Sequence, residues 1–404
     1  MTDFLDENTL GSVEFRILWN SGVAEHNDSV YVRKVNLWRD ALPQKLKEQL
    51  AGKKTGDTVR VDFAPGEMLP GHDPGKVFRV PDEHVTTGHL KKAPEAIVEG
   101  RFYPRGILFG LPGVFKGNMA PFRCVEHNGR GVVADLNHPL AGRPLSVEAE
   151  ILEVWDKDAE RGGSCLGPEN VLDGGPGMQA RRNGIPTDFF GEGALVRRDE
   201  SPDEDFYEEP RLVHHIDETA RGTISGLYGQ LIKPGAEVLD LMSSWESHIP
   251  DDLELSGLHG LGMNMEELLA NPRLTGYTVW DINADPRLPF HSNSFDAVTC
   301  TVSVEYLTNP LAVFDEVARL LRPGGVFAVA FSNRWFPPKA VAVWEDLHDF
   351  ERMGFVQELF FANGRYEDVH TFSHRGRPRP ENDRYALEIA CADPVYAVWA
   401  RVNR

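Results

Sequence analysis

The sequence predicts two folded domains of different class: a mainly β domain carrying one helix over residues 12–157, and a doubly wound α/β domain on a parallel sheet over 206–404. Three observations predict this division. Up to residue 157, apolar and polar positions alternate in short runs, the period of half-buried strands. From Phe206 onward, continuous apolar runs alternate with stretches of helical spacing, which is the pattern of strand, helix, strand. Charge divides at the same place, with 20 basic and 22 acidic residues in 1–157 against 22 and 40 in 158–404. A length of 404 residues accommodates two or three domains.

In the first domain, 59–63, 131–135 and 146–154 alternate as strands. Residues 42–50 read as the helix. Pro43 suits its first turn, where a missing N–H costs nothing, and Gly52 stops it. The expected architecture is a β-barrel or half-barrel with one helix.

Residues 158–205 contain Gly162, Gly163, Gly174, Gly175, Gly177, Gly191 and Gly193, then the acidic run 199–205. This composition predicts a solvated tether, or a lid that orders over a site.

In the second domain, 238–241, 295–302 and 326–331 read as buried strands. Between the last two, Leu311, Phe314, Val317, Ala318 and Leu321 recur at helical spacing, and Pro323-Gly-Gly is the expected stop.

Composition excludes several function classes. A formal charge of −20 opposes binding to nucleic-acid phosphates. The four cysteines, Cys124, Cys165, Cys300 and Cys391, lie far apart without a C-x-x-C pair, so neither a disulfide framework nor a metal site is expected. The acidic start has no basic or apolar leader, and the longest apolar runs fall short of a membrane span. These features predict a soluble cytoplasmic protein with no membrane partner.

The order Pro234-Gly-Ala-Glu-Val-Leu-Asp-Leu, Leu288-Pro-Phe-His-Ser-Asn-Ser-Phe-Asp, Val317-Ala-Arg-Leu-Leu-Arg-Pro-Gly-Gly resembles a class I S-adenosylmethionine-dependent methyltransferase with a Rossmann-like fold, over 206–404. Ligands of such sheets lie beyond the carboxyl ends of the strands. The turn Asp240-Leu-Met-Ser-Ser-Trp lacks the usual glycines. Hydroxyls of Ser243, Ser244 and Ser247 are expected either to bind the cofactor carboxylate at a helix N-terminus or to cap that helix. Together with Gly260-Leu-Gly-Met-Asn264 and Asp281-Ile-Asn283, the turn resembles a subfamily marked by Leu-Met-Ser-Ser-Trp, which Ser303-Val-Glu-Tyr306 and Ser332-Asn-Arg334 also match. The resemblance implies S-adenosyl-L-methionine as cofactor, held by Asp240, Met242, Ser243, Ser244, Gly262, Met263 and Asn264, with Asp281, Ile282 and Asn283 at the adenine.

Methyl transfer needs an aligned acceptor, water exclusion and, for some acceptors, a base. The segment before the first strand of this fold often covers the site, which makes Tyr207, Arg211, His214 and His215 acceptor-side candidates. Adjacent histidines point to different faces, so one of the pair is expected to reach the site. Glu305 and Tyr306 are candidates at the open end of a strand.

In the first domain, Asn137-His-Pro-Leu-Ala-Gly142 before a closing strand resembles FKBP-type, SlyD-like peptidyl-prolyl isomerases; Gly52 to Val61 and Phe78-Arg-Val-Pro81 fit the same family. Gly66-Glu-Met-Leu-Pro70 stands where that family's flap tyrosine belongs. Docking of a protein partner or homodimerisation is therefore expected in place of isomerase activity. The leading functional expectation is methylation of a small molecule, with a small thiol of the hydrogen sulfide or methanethiol type favoured because a thiolate needs little base machinery. Two alternatives stand beside it: a prolyl-binding chaperone with a scaffold methyltransferase domain, and a protein methyltransferase that docks its target on the FKBP-like domain.

Overall fold

The computed structural model describes residues 4–86, 97–157, 165–172 and 175–403. The chain divides into two units, Met1–Asp188 with Asp346–Gly354, and Phe189–Glu345 with Phe355–Arg404. Of the expected tether, Gly162, Gly163 and Gly174 lie outside the described residues. Residues 189–205 count with the second unit.

The first unit contains β1 (Thr9–Asn20), β2 (Glu25–Val35), α1 (Gln44–Leu50), β3 (Thr58–Phe63), β4 (Val77–Pro81), β5 (Phe102–Pro104), β6 (Pro121–His127), β7 (Gly131–Asp135), β8 (Leu145–Asp156) and α2 (Pro168–Leu172). Where a barrel or half-barrel with one helix was expected, the described strands form two antiparallel groups, β2-β1-β8-β3 and β4-β7-β6-β5. In the first group Phe15 pairs with Val30 on one side and Ala149 on the other. Alternation then buries Val13, Phe15 and Ile17 with Val147, Ala149 and Ile151. Helix α1 adds Leu46 and Leu50 to that core, and Pro43 stands at its N-cap. The second group packs on its own core of Val80, Phe122, Cys124, Val132 and Ala134. The 137–142 run forms the turn into β8 and plants Leu140 in the core of the first group.

The chain continues with α3 (Asp203–Phe206), α4 (Glu218–Leu231), β9 (Glu237–Leu241), β10 (Gly257–Gly262), α5 (Met265–Ala270), β11 (Gly276–Val279), β12 (Phe295–Thr301), α6 (Pro310–Leu320), β13 (Leu321–Phe331), α7 (Ala342–Asp346), α8 (Asp349–Asn363), β14 (Tyr366–Arg375) and β15 (Val395–Val402), all in the second unit except Asp346 and the part of α8 up to Gly354, which count with the first. The strands of the second unit run in the order β11-β10-β9-β12-β13-β15-β14. The first five are parallel, and β15 is antiparallel to both neighbours. From β9 the chain moves outward to β10 and β11, then returns to lay β12 on the other side of β9. That reversal opens a crevice between β9 and β12 at their carboxyl ends.

Strands buried on both faces read as apolar runs, as in Val238, Leu239, Ala297, Val298 and 326–331. Helix α6 begins with Asn309 as cap and Pro310 in its first turn. It ends at Leu320, earlier than the expected Pro323-Gly-Gly stop, because residues 321–325 belong to an irregular start of β13. Phe327 lies 4.8 Å from Phe314 and 5.5 Å from Phe360, ring centre to ring centre, and is 1% exposed. Replacing it by alanine leaves a cavity, so Phe327→Ala is expected to cost about 3–5 kcal/mol. Urea unfolding of the full chain, followed by tryptophan fluorescence, measures that loss.

Candidate functional site

A cavity lies at the crevice, walled by the ends of β9, β10 and β12. The turn after β9 is built around Asp240. This buried carboxylate accepts hydrogen bonds from Ser243 Oγ and Ser247 Oγ, both at 2.6 Å to Oδ2, and from Thr299 Oγ1 at 3.1 Å to Oδ1. Burial pushes its pKa up, while the three hydroxyls oppose that rise. Ser244 Oγ donates to Glu267 Oε2 at 2.5 Å. The serines therefore serve the turn itself. The segment runs on as irregular backbone, so the helix N-terminus expected there is absent.

Three backbone features mark the crevice. Met242 has φ 57° and Val302, at the tip of β12, has φ 49°. For a β-branched residue the left-handed region is costly and is held only by its surroundings; Val302 N donates to Ala330 O at 2.7 Å. Gly262 is the third. A β-carbon there would run into the Ser243 carbonyl, so glycine lets β10 end against the turn after β9.

Of the cofactor-side residues expected from sequence, Asp240, Met242, Ser243, Ser244, Gly262, Met263, Asn264, Asp281, Ile282 and Asn283 line this cavity, whereas Ser247 does not and is taken by Asp240. Several are already engaged. Asn264 caps α5 through Glu267 N at 3.0 Å and donates Nδ2 to the carbonyls of Tyr207 and Glu208 at 3.0 and 2.9 Å. Asp281 Oδ1 accepts from Asn283 N and Ala284 N, closing a tight turn. Asn283 Nδ2 donates to Asp203 Oδ2 and to Tyr306 O.

Of the acceptor-side candidates, Tyr207, Arg211, His214, His215 and Tyr306 line the same cavity. Both histidines face it, contrary to the expectation of one, because the irregular backbone of 211–215 imposes neither helical nor strand alternation. Glu305 does not line it: the turn 304–306 buries its side chain completely. Arg211 sits among three rings, 4.5 Å from Phe206, 5.6 Å from Tyr207 and 5.4 Å from Phe336. Its Nη2 donates to Phe206 O, so it braces the segment over the cavity. Glu267 accepting from Arg211 N and Trp245 Nε1 donating to Val213 O hold that segment further along.

Burial raises the phenols of Tyr207 and Tyr306, and Tyr306 OH accepts from Phe336 N at 2.9 Å. Burial lowers His215, and lowers His248 to about 4. Nδ1 of His248 is buried with no hydrogen-bond partner among the described residues. On the outer wall, Glu246 accepts from Arg221 Nη1 at 3.0 Å and pairs with His214 Nδ1 at 2.9 Å.

Sequence reasoning missed Trp280, Phe336, His248 and Asp203, which also line the cavity. Trp280 adjoins Asp281, and Phe336 follows Ser332-Asn-Arg334, so proximity to those motifs was the available signal. Asp203 had none, being one acid in an acidic run. Yet it is buried, accepts Arg197 Nη1 at 2.7 and 2.9 Å, lies 3.2 Å from the fully buried Lys339 Nζ, and receives Asn283 Nδ2 at 2.8 Å. Among the described residues no group of three or more His, Cys, Asp or Glu is placed to hold a metal ion.

Residues 264–329, from the Asn264 cap into β13, match a family of methyltransferase domains. The chain aligns at 29% identity over 106 residues with a sterol 24-C-methyltransferase of Gibberella zeae, covering 24% of this chain and 28% of that protein. It aligns at 24% identity over 176 residues with the ubiquinone/menaquinone biosynthesis C-methyltransferase UbiE of Burkholderia cenocepacia, covering 41% of this chain and 70% of the relative. A solved S-adenosylmethionine-dependent methyltransferase from Mesorhizobium loti is 15% identical, with a TM-score of 0.30, over 44% of this chain and 96% of that one. The chain thus spans less than a third of the sterol enzyme it matches. The second unit carries a methyltransferase domain.

Two outcomes follow from the geometry. Removing Asp203 takes from the buried Arg197 and Lys339 their nearest carboxylate, leaving only the partly exposed Glu200 and Asp199, so Asp203→Ala is expected to destabilise the full chain by about 3 kcal/mol in urea unfolding. His248 titrates near 4 when folded and near its ordinary 6.5 when unfolded. The unfolded chain then binds the extra proton between those values, so this histidine's contribution to stability is present above pH 6.5 and is lost as pH falls toward 4. Comparing unfolding at pH 7 and pH 5, His248→Gln should show the smaller pH-dependent loss.

Proposed function

We propose that this chain is an S-adenosylmethionine-dependent methyltransferase acting on a small molecule. The observation that carries this reading is the cavity at the carboxyl ends of β9 and β12, where the sheet order reverses, in a unit with a methyltransferase domain match. The residues suit the cofactor. Trp280 offers a ring beside Asp281 and its turn, Asp240 holds a rigid polar bend, and Gly262 admits close backbone packing. When bound, the cofactor supplies an electrophilic methyl on a sulfonium; the acceptor's bond to that carbon forms as the carbon–sulfur bond breaks, leaving S-adenosylhomocysteine. This chain's own part is to bind, align and exclude water, with the 207–216 segment as cover.

For the acceptor we favour a small thiol, of the hydrogen sulfide or methanethiol type. Support comes from the buried phenols and imidazoles of the wall. Tyr207 and Tyr306 retain their protons, and burial makes His215 and His248 weak bases. An acceptor that ionises near neutral pH needs no strong base. The excess of acid in the second half disfavours a nucleic-acid acceptor. Protein docking or homodimerisation through the first unit rests on its FKBP-like, SlyD-like sequence features, and a cytoplasmic location on four unpaired cysteines. Among the described residues no helix is long and apolar enough to cross a membrane.

Titration calorimetry of the full chain with S-adenosylmethionine tests the enzyme reading, and absence of binding overturns it. Asp281→Ala should weaken cofactor binding by about tenfold, the worth of one good hydrogen bond to a charged group. His215→Ala should lower turnover of a thiol, read as S-adenosylhomocysteine release, with cofactor affinity unchanged. Radiolabelled cofactor given with cell lysate should leave its methyl in low-mass products; label in protein supports the docking alternative instead.

A further inference from the structure

A second chamber opens beside the cofactor-side cavity. Both share His215, Val302, Tyr306 and Phe336 as wall, and beyond these the chamber is lined by Asn333, Arg334, Trp335, Pro337 and Arg384. Its lining thus holds two guanidiniums and no carboxylate, in a chain with 62 acidic residues against 42 basic. The two arginines are gathered on one ring. Arg384 lies 4.6 Å and Arg334 5.1 Å from the centre of Tyr385, so they stand no more than about 10 Å apart. Like charges so placed repel. Of the acids in this corner, Asp217, Asp383 and Asp393 turn to Arg379, and Asp393 pairs with Arg334 as well. Arg334 shares Asp393 through Nε at 3.0 Å, while among the described residues no carboxylate pairs with Arg384.

We propose that the methyl acceptor carries an anionic group, a carboxylate on a small apolar or aromatic body, which Arg334 and Arg384 hold while Tyr306, Trp335 and Phe336 receive the body. This rests on the methyl-transfer reading above and departs from its small-thiol acceptor: hydrogen sulfide and methanethiol have no carboxylate, so the acceptor here is a larger acid. Guanidinium presents a planar fork of donors matched to carboxylate, and aromatic walls suit a flat body. The acceptor's reactive atom then lies toward His215 and Val302, the wall common to both chambers.

The test uses the full chain saturated with S-adenosylhomocysteine, with benzoate and benzamide titrated separately by calorimetry. Benzoate is expected to bind at least about tenfold tighter than the isosteric benzamide, since a charge-assisted hydrogen bond is worth that much. The preference should fall at least threefold in Arg384→Gln, whose side chain is exposed, and vanish in the Arg334→Gln, Arg384→Gln double variant, with S-adenosylhomocysteine affinity unchanged. Equal binding of the two probes, or a preference that survives the double substitution, overturns the inference. Failure of the unaltered chain to bind S-adenosylhomocysteine is a separate result, and it removes the methyl-transfer reading together with this one.

Discussion

The site depends on one buried carboxylate. Asp240 lies at the end of the central strand β9 with no cation against it, and its charge is stabilised by three hydroxyls, two from the following turn and one from β12. Burial without a counter-charge is costly, and hydrogen bonds to the charged form are what offset it. Because the donors Ser243 and Ser247 lie three and seven residues downstream, satisfying Asp240 bends the chain into a tight turn. Because Thr299 lies on β12, the same interaction ties the two strands that flank the crevice.

That arrangement explains the lack of glycine in the turn after β9. A glycine-rich turn brings backbone close to a ligand through conformational freedom. Here the freedom is replaced by side-chain cross-links, and the cost appears as left-handed backbone at Met242 and Val302. The close approach is supplied from the neighbouring strand by Gly262, whose missing side chain leaves room for the Ser243 carbonyl.

A second buried charge cluster closes the site from above. Asp203, held by Arg197, Lys339 and Asn283, brings the acidic stretch after residue 198 down onto the Asp281–Asn283 turn. The excess of acid in the second half of the chain is therefore partly internal, neutralised where it matters by buried cations. Around Arg379 the acids are gathered in the same way; Arg334, which shares Asp393, and Arg384 face the side chamber. Net charge thus says little about the charge a bound molecule meets, since burial and pairing redistribute it locally.

Much of this was legible without coordinates. Strand β9, β12, β13 and helix α6 follow from hydrophobic periodicity, which is a local property, and the ten cofactor-side residues fall at strand ends because turn chemistry is local too. What sequence could not supply were the partners of polar groups. Ser243 and Ser247 looked available for a ligand until Asp240 was seen to take them, and Asn264 until it was found holding the Tyr207 and Glu208 carbonyls. Glu305, next to a lining tyrosine, turned into the interior because a single turn of helix rotates adjacent side chains to different faces. The second antiparallel sheet of the first unit escaped notice because its strands are short and pair across loops. Sequence by itself determined that a β-rich part precedes an α/β part and placed several strands and a helix in each, through patterns a few residues long. Tertiary structure alone decided which acids are buried against which cations, and so which side chains meet at the site, because those contacts join residues as far apart in the chain as Asp217 and Arg379.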